Sequence, residues 1–574
     1  MTASLMISDT VGGREQRAAH WGASLAIVSF SAVLSLVLSG YAGGQENNIY
    51  HLPILARLYD EPQFSNDMFI QTLRFYASGF WQILAGRVHG QDVYAVLFVL
   101  QILSRMVLFA GVLAWAGLLG IESGAGQLVF TVLIALSSIL RGYSLAGDGG
   151  LLIDYFTQSE LANGTMLLAL AWAVRGRIAA AFAMNGVTFF INAFIAVWIA
   201  LPFAVILGVQ CWQGQWRLRA LLTQAGVGLA AFAVLALPVV HTILIDPFAK
   251  ATPAFDYVTF LEEFFPYHFL IWAIPAREVW LLAIIFGCGM IAAVMLRVPG
   301  SWLPTTLLAA AAIWIIGVFL PFATHSRMLL NQHLLRASTM VHLLAALAVA
   351  ALATRWLQSG TESDRRVWAP LLVLLSCTSQ MMLPVIPVML LARLWRPAVP
   401  MSWRPYVAPV LLLGVAASSG VRLYHNVAWA RTVTDRRNDW QALGLWAQAH
   451  TPLQATFLIP TGASRGLPGL LPEADAQQAQ LFEGSAVFAY FSHRPSWVSR
   501  PAGAAVMWAP AYYWTWRSRL IAVRALKTLP ERLDYAAHHD IAYVVDGCIQ
   551  QAGVAMAAHF GRLCVFAVPG RSVS

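Results

Sequence analysis

Between Trp21 and Val421 the chain is a succession of apolar runs about as long as a bilayer is thick, separated by short polar or arginine-bearing breaks. A helix rises about 1.5 Å per residue, so about 20 apolar residues cross the hydrocarbon core. The run Trp21 to Ser39 has that length, and 92–119, 221–242, 279–296 and 303–320 repeat it. Soluble domains are about 25% charged; this chain of 574 residues is 11% charged and 59% hydrophobic. A soluble enzyme, a disordered chain and a fibrous repeat are excluded. The expectation is a mainly α, polytopic transmembrane helical bundle.

The formal net charge of +9 does not make this a nucleic-acid binder. Lys250 and Lys527 are its two lysines, and the arginines mostly stand at the ends of apolar runs. That is the distribution of topology signals, not of a phosphate-binding stripe.

The basic breaks set the path of the chain. Residues 175–177, 216–219, 297, 355–366 and 393–404 read as cytoplasmic, and so does the N-terminus with Arg14 and Arg17. Two apolar runs, 178–208 and 369–392, have arginines at both ends, so each reads as a pair of short helices. The first would break near Asn192, with a single long tilted helix as the alternative, and the second contains Pro384 and Pro387. The count is eleven to thirteen spans, with residues 1–421 as the transmembrane domain and 41–90 as a long first outer loop. Residues 422–574 carry short apolar runs (ATFLIP, AVFAYF, IAYVVD, CVFAV) read as strands. Helical stretches at 515–529 and 549–559 lie between them. This predicts a C-terminal extracytoplasmic α/β domain.

Chemistry-bearing residues concentrate in the outer loops. The first loop has Glu46, His51, Asp60, Glu61, Asp67 and Arg74, with 46–59 at the spacing of an amphipathic interfacial helix. A carboxylate just above a bilayer suits a general base or a metal ligand; a solvated clip between two helices is the plainer reading. The second loop sets Asp148 between glycines, as a turn aspartate or as the partner of Glu46 or Asp67 in a two-carboxylate site. The third loop holds His268 among dense aromatics, read as an interfacial belt or as a lid over a lipid chain. The fourth holds His325, Arg327, His333 and Arg336. Outer arginines run against the positive-inside trend, so they bind either an anionic ligand such as a lipid phosphate or plain headgroups.

No phosphate-binding P-loop, dinucleotide fingerprint, HExxH or nucleophile elbow occurs. The five cysteines show no zinc spacing. Cys211, Cys288 and Cys377 lie in or beside apolar segments. Cys548 and Cys564 either pair across neighbouring strands as a disulfide, favoured outside the cytoplasm, or remain buried thiols.

The architecture, the stretch YHLPILARLYDEPQFSND after Glu46, Asp148 in loop two, and Arg327 or Arg336 in a late outer loop together resemble the GT-C class of glycosyltransferases. The catalytic subunit of oligosaccharyltransferase and the protein mannosyltransferases belong to that class. The C-terminal stretches NDWQALGLWAQAHTPLQATFLIP, FSHRPSWVS, AAVMWAPAYYWTWRSR and IAYVVD are similar to those of bacterial GT-C-like membrane proteins. Two features depart from the class: Gln45-Glu46 leads where an aspartate is usual, and no WWDYG-type motif occurs. The resemblance implies transfer of a sugar from a polyprenyl-phosphate donor to a glycan, lipid or protein acceptor at the outer face of a bacterial inner membrane. On that basis Glu46 is the base, with Asp67 or Asp148 as assistant. Glu46 and Asp148 are the candidates for a divalent metal such as Mg or Mn. Arg327 and Arg336 would hold the donor phosphate, with Arg74, His51, His268, His325 and His333 as further substrate contacts. A non-catalytic assembly or export partner of the same shape is the alternative, and a transporter the third.

Reporter fusions after residues 220, 400 and 430 test the topology. The first two should report a cytoplasmic position and the third an external one. A cytoplasmic signal at 430 would invert the placement of every loop named above.

Overall fold

The computed structural model of the protein describes residues 3–250, 254–395, 404–548 and 554–569. Among these, eight helices are long and apolar enough to cross a membrane, and Gly124–Leu136, Ile178–Ile191 and Val385–Trp395 are shorter apolar helices. The chain is thus a multi-pass helical membrane protein. Both runs are broken. Ile178–Ile191 ends at Asn192, whose side chain accepts from the amides of Phe194 and Ile195 and so starts a new helix. The run 369–392 resolves into Ala369–Cys377, a 3-10 turn at Gln380–Met382, and Val385–Trp395. Of its basic flank, Arg396 lies outside the described residues.

At the centre stands Ser338–Ser359, whose residues from Ser338 to Thr354 are all buried. Its alanines let neighbouring helices approach, as small residues do in membrane bundles. Glycine serves the same end between Asp92–Leu118 and Gln158–Val174. A Cβ on Gly164 would lie 2.6 Å from the Leu108 amide, and one on Gly111 2.9 Å from the Gly164 carbonyl. The same pair of helices holds the fully buried ion pair Arg105–Glu160 at 2.8 Å. Gln101 and the Ile153 carbonyl supply further hydrogen bonds to it.

A second apolar core lies beyond the bundle, drawn mainly from the first loop, the third loop and the C-terminal region. Asn48–Ala56 is a helix, but not one lying on an interface: Leu52, Ile54 and Leu55 are fully buried on this core. His51 is stacked on Trp81 at 4.1 Å, where burial holds its pKa down at about 3. Most third-loop aromatics are buried and do not form a belt, although Tyr267 and Trp272 are exposed. Tyr257–Phe264 buries Phe260 and Phe264 against Trp516, at 6.1 and 5.9 Å. Glu263 is bound there by Arg517 at 2.7 Å and by the Tyr513 hydroxyl at 2.8 Å.

The last apolar span does not stop at 421. Arg404–His450 is one helix of 47 residues running from the bundle into the second core, so residue 422 falls inside it. Four strands follow: β1 (Phe457–Leu458), β2 (Tyr543–Gly547), β3 (Met556–Phe560) and β4 (Leu563–Ala567), in the order β1-β2-β4-β3. β1 and β2 are parallel and the other pairs antiparallel. AVFAYF is helical rather than extended. After Gly484, in the left-handed region at φ 92°, a 3-10 turn and the helix Phe488–Ser492 set Phe488 against Trp440 at 5.8 Å. A short apolar run lacks the alternation that separates strand from buried helix. The helix expected over 549–559 is corrected as well: 556–560 is β3, joined to β4 by a tight turn at Gly561 and Arg562, while 549–553 lie outside the described residues. Cys548, at the end of β2, and Cys564, in β4, form a disulfide with Cα atoms 5.0 Å apart.

Asp67 caps Met68–Thr72 by accepting from the Ile70 amide at 3.1 Å. Burial pushes its carboxyl up to about 6. A folded-state pKa above the unfolded value favours the protonated fold, so this group's contribution to stability falls as pH rises from about 4 through 6. Asp67→Asn keeps the cap and removes the charge. It should raise stability at pH 7.5 by on the order of 1 kcal/mol and leave it unchanged near pH 3, below both pKa values, read as thermal unfolding midpoints.

Candidate active site

One cavity of about 660 Å³ lies between the bundle and the second core. Loops one, two, three and four line it together with the long helix and the C-terminal region. Glu46, Asp148, His268, His333 and Arg336 all face it.

Local backbone chemistry explains how the loop carrying Asp148 meets the turn carrying Arg336. Arg336 lies in the 3-10 turn Leu334–Ala337 that opens the central helix. The loop SLAGDGG packs directly on that turn. A Cβ on Gly147 would come 2.4 Å from the Leu335 carbonyl and 2.9 Å from the Arg336 Cα, and one on Gly149 would come 2.2 Å from the Thr339 hydroxyl. The flanking glycines thus allow the contact. Asp148 itself sits in the left-handed region at φ 53°, which a short polar side chain tolerates. Ser144 completes the junction, bonding the Ser338 hydroxyl at 2.9 Å and accepting from the Gly149 amide at 2.9 Å.

Charges in the cavity divide into paired and unpaired. Glu46 is held by Arg465 at 2.9 Å, and Arg436 pairs with Glu483. Asp148 makes no close ion pair among the described residues; the nearest cationic candidate atom, His268 Nδ1, is 3.9 Å away. Desolvation raises the Asp148 carboxyl above the usual carboxylate range, while Arg336 and Arg465 pull the other way. Burial and the neighbouring arginines push His268 well below the usual imidazole range, so it is neutral at pH 7. Arg336 and Arg500 bring guanidinium groups with a buried Nε and a buried Nη1, respectively, that have no hydrogen-bond partner. Arg500 is 8% exposed, covered by the rings of Phe264 and Phe265. With Glu46 and Glu483 each paired to an arginine, the cavity presents one carboxyl without a close ion pair and two arginines with unsatisfied nitrogens, a surplus of positive charge.

Its walls are aromatic. Tyr143 and Tyr155 share a hydrogen bond of 3.1 Å, and Tyr76 packs edge-on to Trp508 at 5.8 Å. The Trp508 indole N–H is buried without a partner. Apolar rings with a few polar tips are the usual lining of a pocket for an organic ligand.

The other residues singled out in the sequence lie elsewhere. Asp67 is in the cap described above, and His51 is in the outer core. Arg74 pairs with Asp60 at 2.7 Å, His325 with Asp256 at 2.5 Å, and Arg327 donates to the Ala249 carbonyl at 2.8 Å. None of these five lines the cavity. Conversely, Arg465, Arg500, Tyr143, Tyr155 and Trp508 line it without having been singled out. The arginines come from the C-terminal region, in short segments with no motif spacing, and folding alone brings them here.

The residues present do not fit a divalent metal bound by Glu46 and Asp148. Glu46 is neutralised by Arg465, and the two carboxylates join no third ligand-bearing residue at coordinating distance. Among the described residues one such trio exists, Cys548, His559 and Cys564, and its two cysteines are the disulfide.

Gly147→Ala tests the loop junction. A methyl group there meets backbone, which cannot swing aside, so the loop must lift off the Arg336 turn. The expected loss is about 1–3 kcal/mol of stability, read by thermal unfolding, and any ligand that needs Asp148 beside Arg336 should bind at least tenfold more weakly.

No protein-family model matches the chain, and no curated protein matches its sequence. Among solved structures it is similar to the arabinofuranosyltransferase AftD from Mycobacteria, with 13% sequence identity and a TM-score of 0.42. The similarity covers 95% of this chain and 40% of that one, so the chain spans less than half the length of that protein.

Proposed function

We propose that this protein is a membrane glycosyltransferase that moves a sugar from a polyprenyl-phosphate donor to an acceptor hydroxyl in the cavity beside the bundle. One observation carries the reading: Glu46, Asp148 and Arg336, far apart in sequence, line a single aromatic-walled cavity with surplus positive charge. A sugar phosphate needs both parts, rings for its C–H faces and guanidinium forks for its phosphate. The likeness to AftD agrees in kind; the argument rests on the cavity.

Asp148 takes the role of base in this proposal, and Glu46 a positioning role. Glu46 orients Arg465 through their ion pair, whereas Asp148 is close to Arg336 and free to accept a proton. The acceptor O–H would give its proton to an Asp148 carboxylate oxygen as the acceptor oxygen bonds to the anomeric carbon. The bond from that carbon to the phosphate oxygen breaks, and the electron pair leaves with the phosphate. Arg336 and Arg500 stabilise the charge that develops there.

The test is release of polyprenyl phosphate from a panel of polyprenyl-phosphate sugars by the purified protein in vesicles. Asp148→Asn should lower the rate about 10²–10⁴-fold, and Arg336→Lys should weaken donor binding although it keeps the charge. Because the base must be ionised, the wild-type rate should fall with falling pH through a value above the ordinary carboxylate range. Unchanged rates in Asp148→Asn and Glu46→Gln would remove both carboxylates from the chemistry, and no release by the wild type would favour the non-catalytic assembly partner.

A further inference from the structure

A second set of cations lies outside the cavity. Arg141 follows the helix Gly124–Leu136 on the side where loop two begins. Arg422 lies 18 residues into Arg404–His450, about 27 Å along it from its start and about 10 Å short of Trp429, which lines the cavity. Neither arginine lines the cavity. Both converge on the tip of the broken helix pair. Arg141 Nη2 donates to the Thr378 carbonyl at 3.4 Å, and so does the hydroxyl of Ser418, one turn before Arg422 on the same helix face.

Their electrostatics is unbalanced. Arg422 is 9% exposed, its Nε is buried without a partner, and it makes no hydrogen bond or ion pair among the described residues. Arg141 also has a buried, unpartnered Nε, and its one side-chain hydrogen bond is the long one to Thr378. The charged groups that act on Arg422 are Arg141 and Arg105, with the Cys377 thiol beside them. Arg105 is already matched by Glu160, and Asp154, the other carboxylate near Arg105, accepts from the Trp429 indole at 3.2 Å. Two guanidinium groups therefore sit at the edge of an apolar bundle with no counter-charge. Burying a cation without a partner is costly to the fold.

We propose that Arg141 and Arg422 bind the phosphate of an anionic membrane phospholipid. Paired guanidinium groups suit phosphate oxygens, which accept two N–H bonds from each fork. The surroundings favour a lipid over free phosphate. Met381, Met382, Leu413 and Val421, on the same tip and helix, are exposed apolar side chains of the kind that acyl chains cover. The site is independent of the reaction proposed for the cavity.

The experiment uses the whole protein, purified and delipidated in detergent. Its readouts are the unfolding midpoint and retained lipid by native mass spectrometry, after addition of phosphatidylglycerol, diacylglycerol or inorganic phosphate at matched concentration. Phosphatidylglycerol should raise the wild-type midpoint by several degrees and be retained, whereas diacylglycerol should do neither. Arg141→Gln with Arg422→Gln should lose the shift and bind phosphatidylglycerol about tenfold more weakly. Its lipid-free midpoint should be no lower than that of the wild type, because the substitution removes uncompensated charge. If the double variant does not fold, Arg422→Lys alone should shrink the shift by losing the fork. The same lipid shift in wild type and variant overturns the proposal. An equal shift with inorganic phosphate overturns the lipid assignment and leaves a free-phosphate site. A wild type insensitive to phosphatidylglycerol, with a destabilised lipid-free variant, makes the arginines structural and overturns it as well.

Discussion

Everything outside the bundle depends on one apolar core to which no single stretch of chain contributes enough. The first loop supplies Leu52, Leu55 and Trp81, the third supplies Phe260 and Phe264, and the C-terminal region supplies Trp440, Phe457, Phe488 and Trp516. Each of these segments alone would expose its aromatic side chains. Packed together they are removed from water, at about 25 cal/mol per Å² of apolar surface. Polar ties then fix the register: the Tyr50 hydroxyl on the Pro501 carbonyl at 2.8 Å, Glu61 with His493 at 2.8 Å, and the Leu467 amide on the Glu262 carbonyl at 2.8 Å. The cavity exists because this core sits over the bundle and does not fill the space between them.

The rigidity of that arrangement comes from two helices. Arg404–His450 passes unbroken from bundle to outer core, so the two bodies share one rod. The central helix Ser338–Ser359 begins at the turn that carries Arg336, which ties the cavity floor to the most buried element of the bundle. Charge is treated differently at each level. Within the bundle Arg105 has the buried carboxylate of Glu160 as its counter-charge, whereas Arg336 and Arg500 at the cavity and Arg141 and Arg422 beside it make no ion pair among the described residues. Unsatisfied buried cations are costly to a fold.

Much of the architecture was legible from local chemistry. Helix length follows from the apolar runs, and the breaks at Asn192 and near Pro384 follow from arginines on both flanks of a single run. The glycines around Asp148 mark a turn in the sequence, although which surface that turn meets is not a local property. Extended and helical forms of AVFAYF were not separable, because a run buried on every side carries no period. The strand at 556–560 has no signature of its own in the sequence, because its pairing depends on β4 and on the Gly561 turn.

The amino-acid sequence by itself determined that the chain is a helical membrane protein with acidic and basic residues gathered in its polar loops. That follows because the cost of burying charge and the length of a bilayer act on each segment separately. Only the tertiary structure decided which of those residues meet. Glu46, Asp148, His268, His333 and Arg336 converge on one cavity, while Asp67, Arg74, His325 and Arg327 are spent on caps and pairs of their own. The reason is physical: convergence is set by the long-range packing of aromatic side chains and by the close approach of Gly147 to the Arg336 turn. Neither leaves a periodic mark on the segments that it joins.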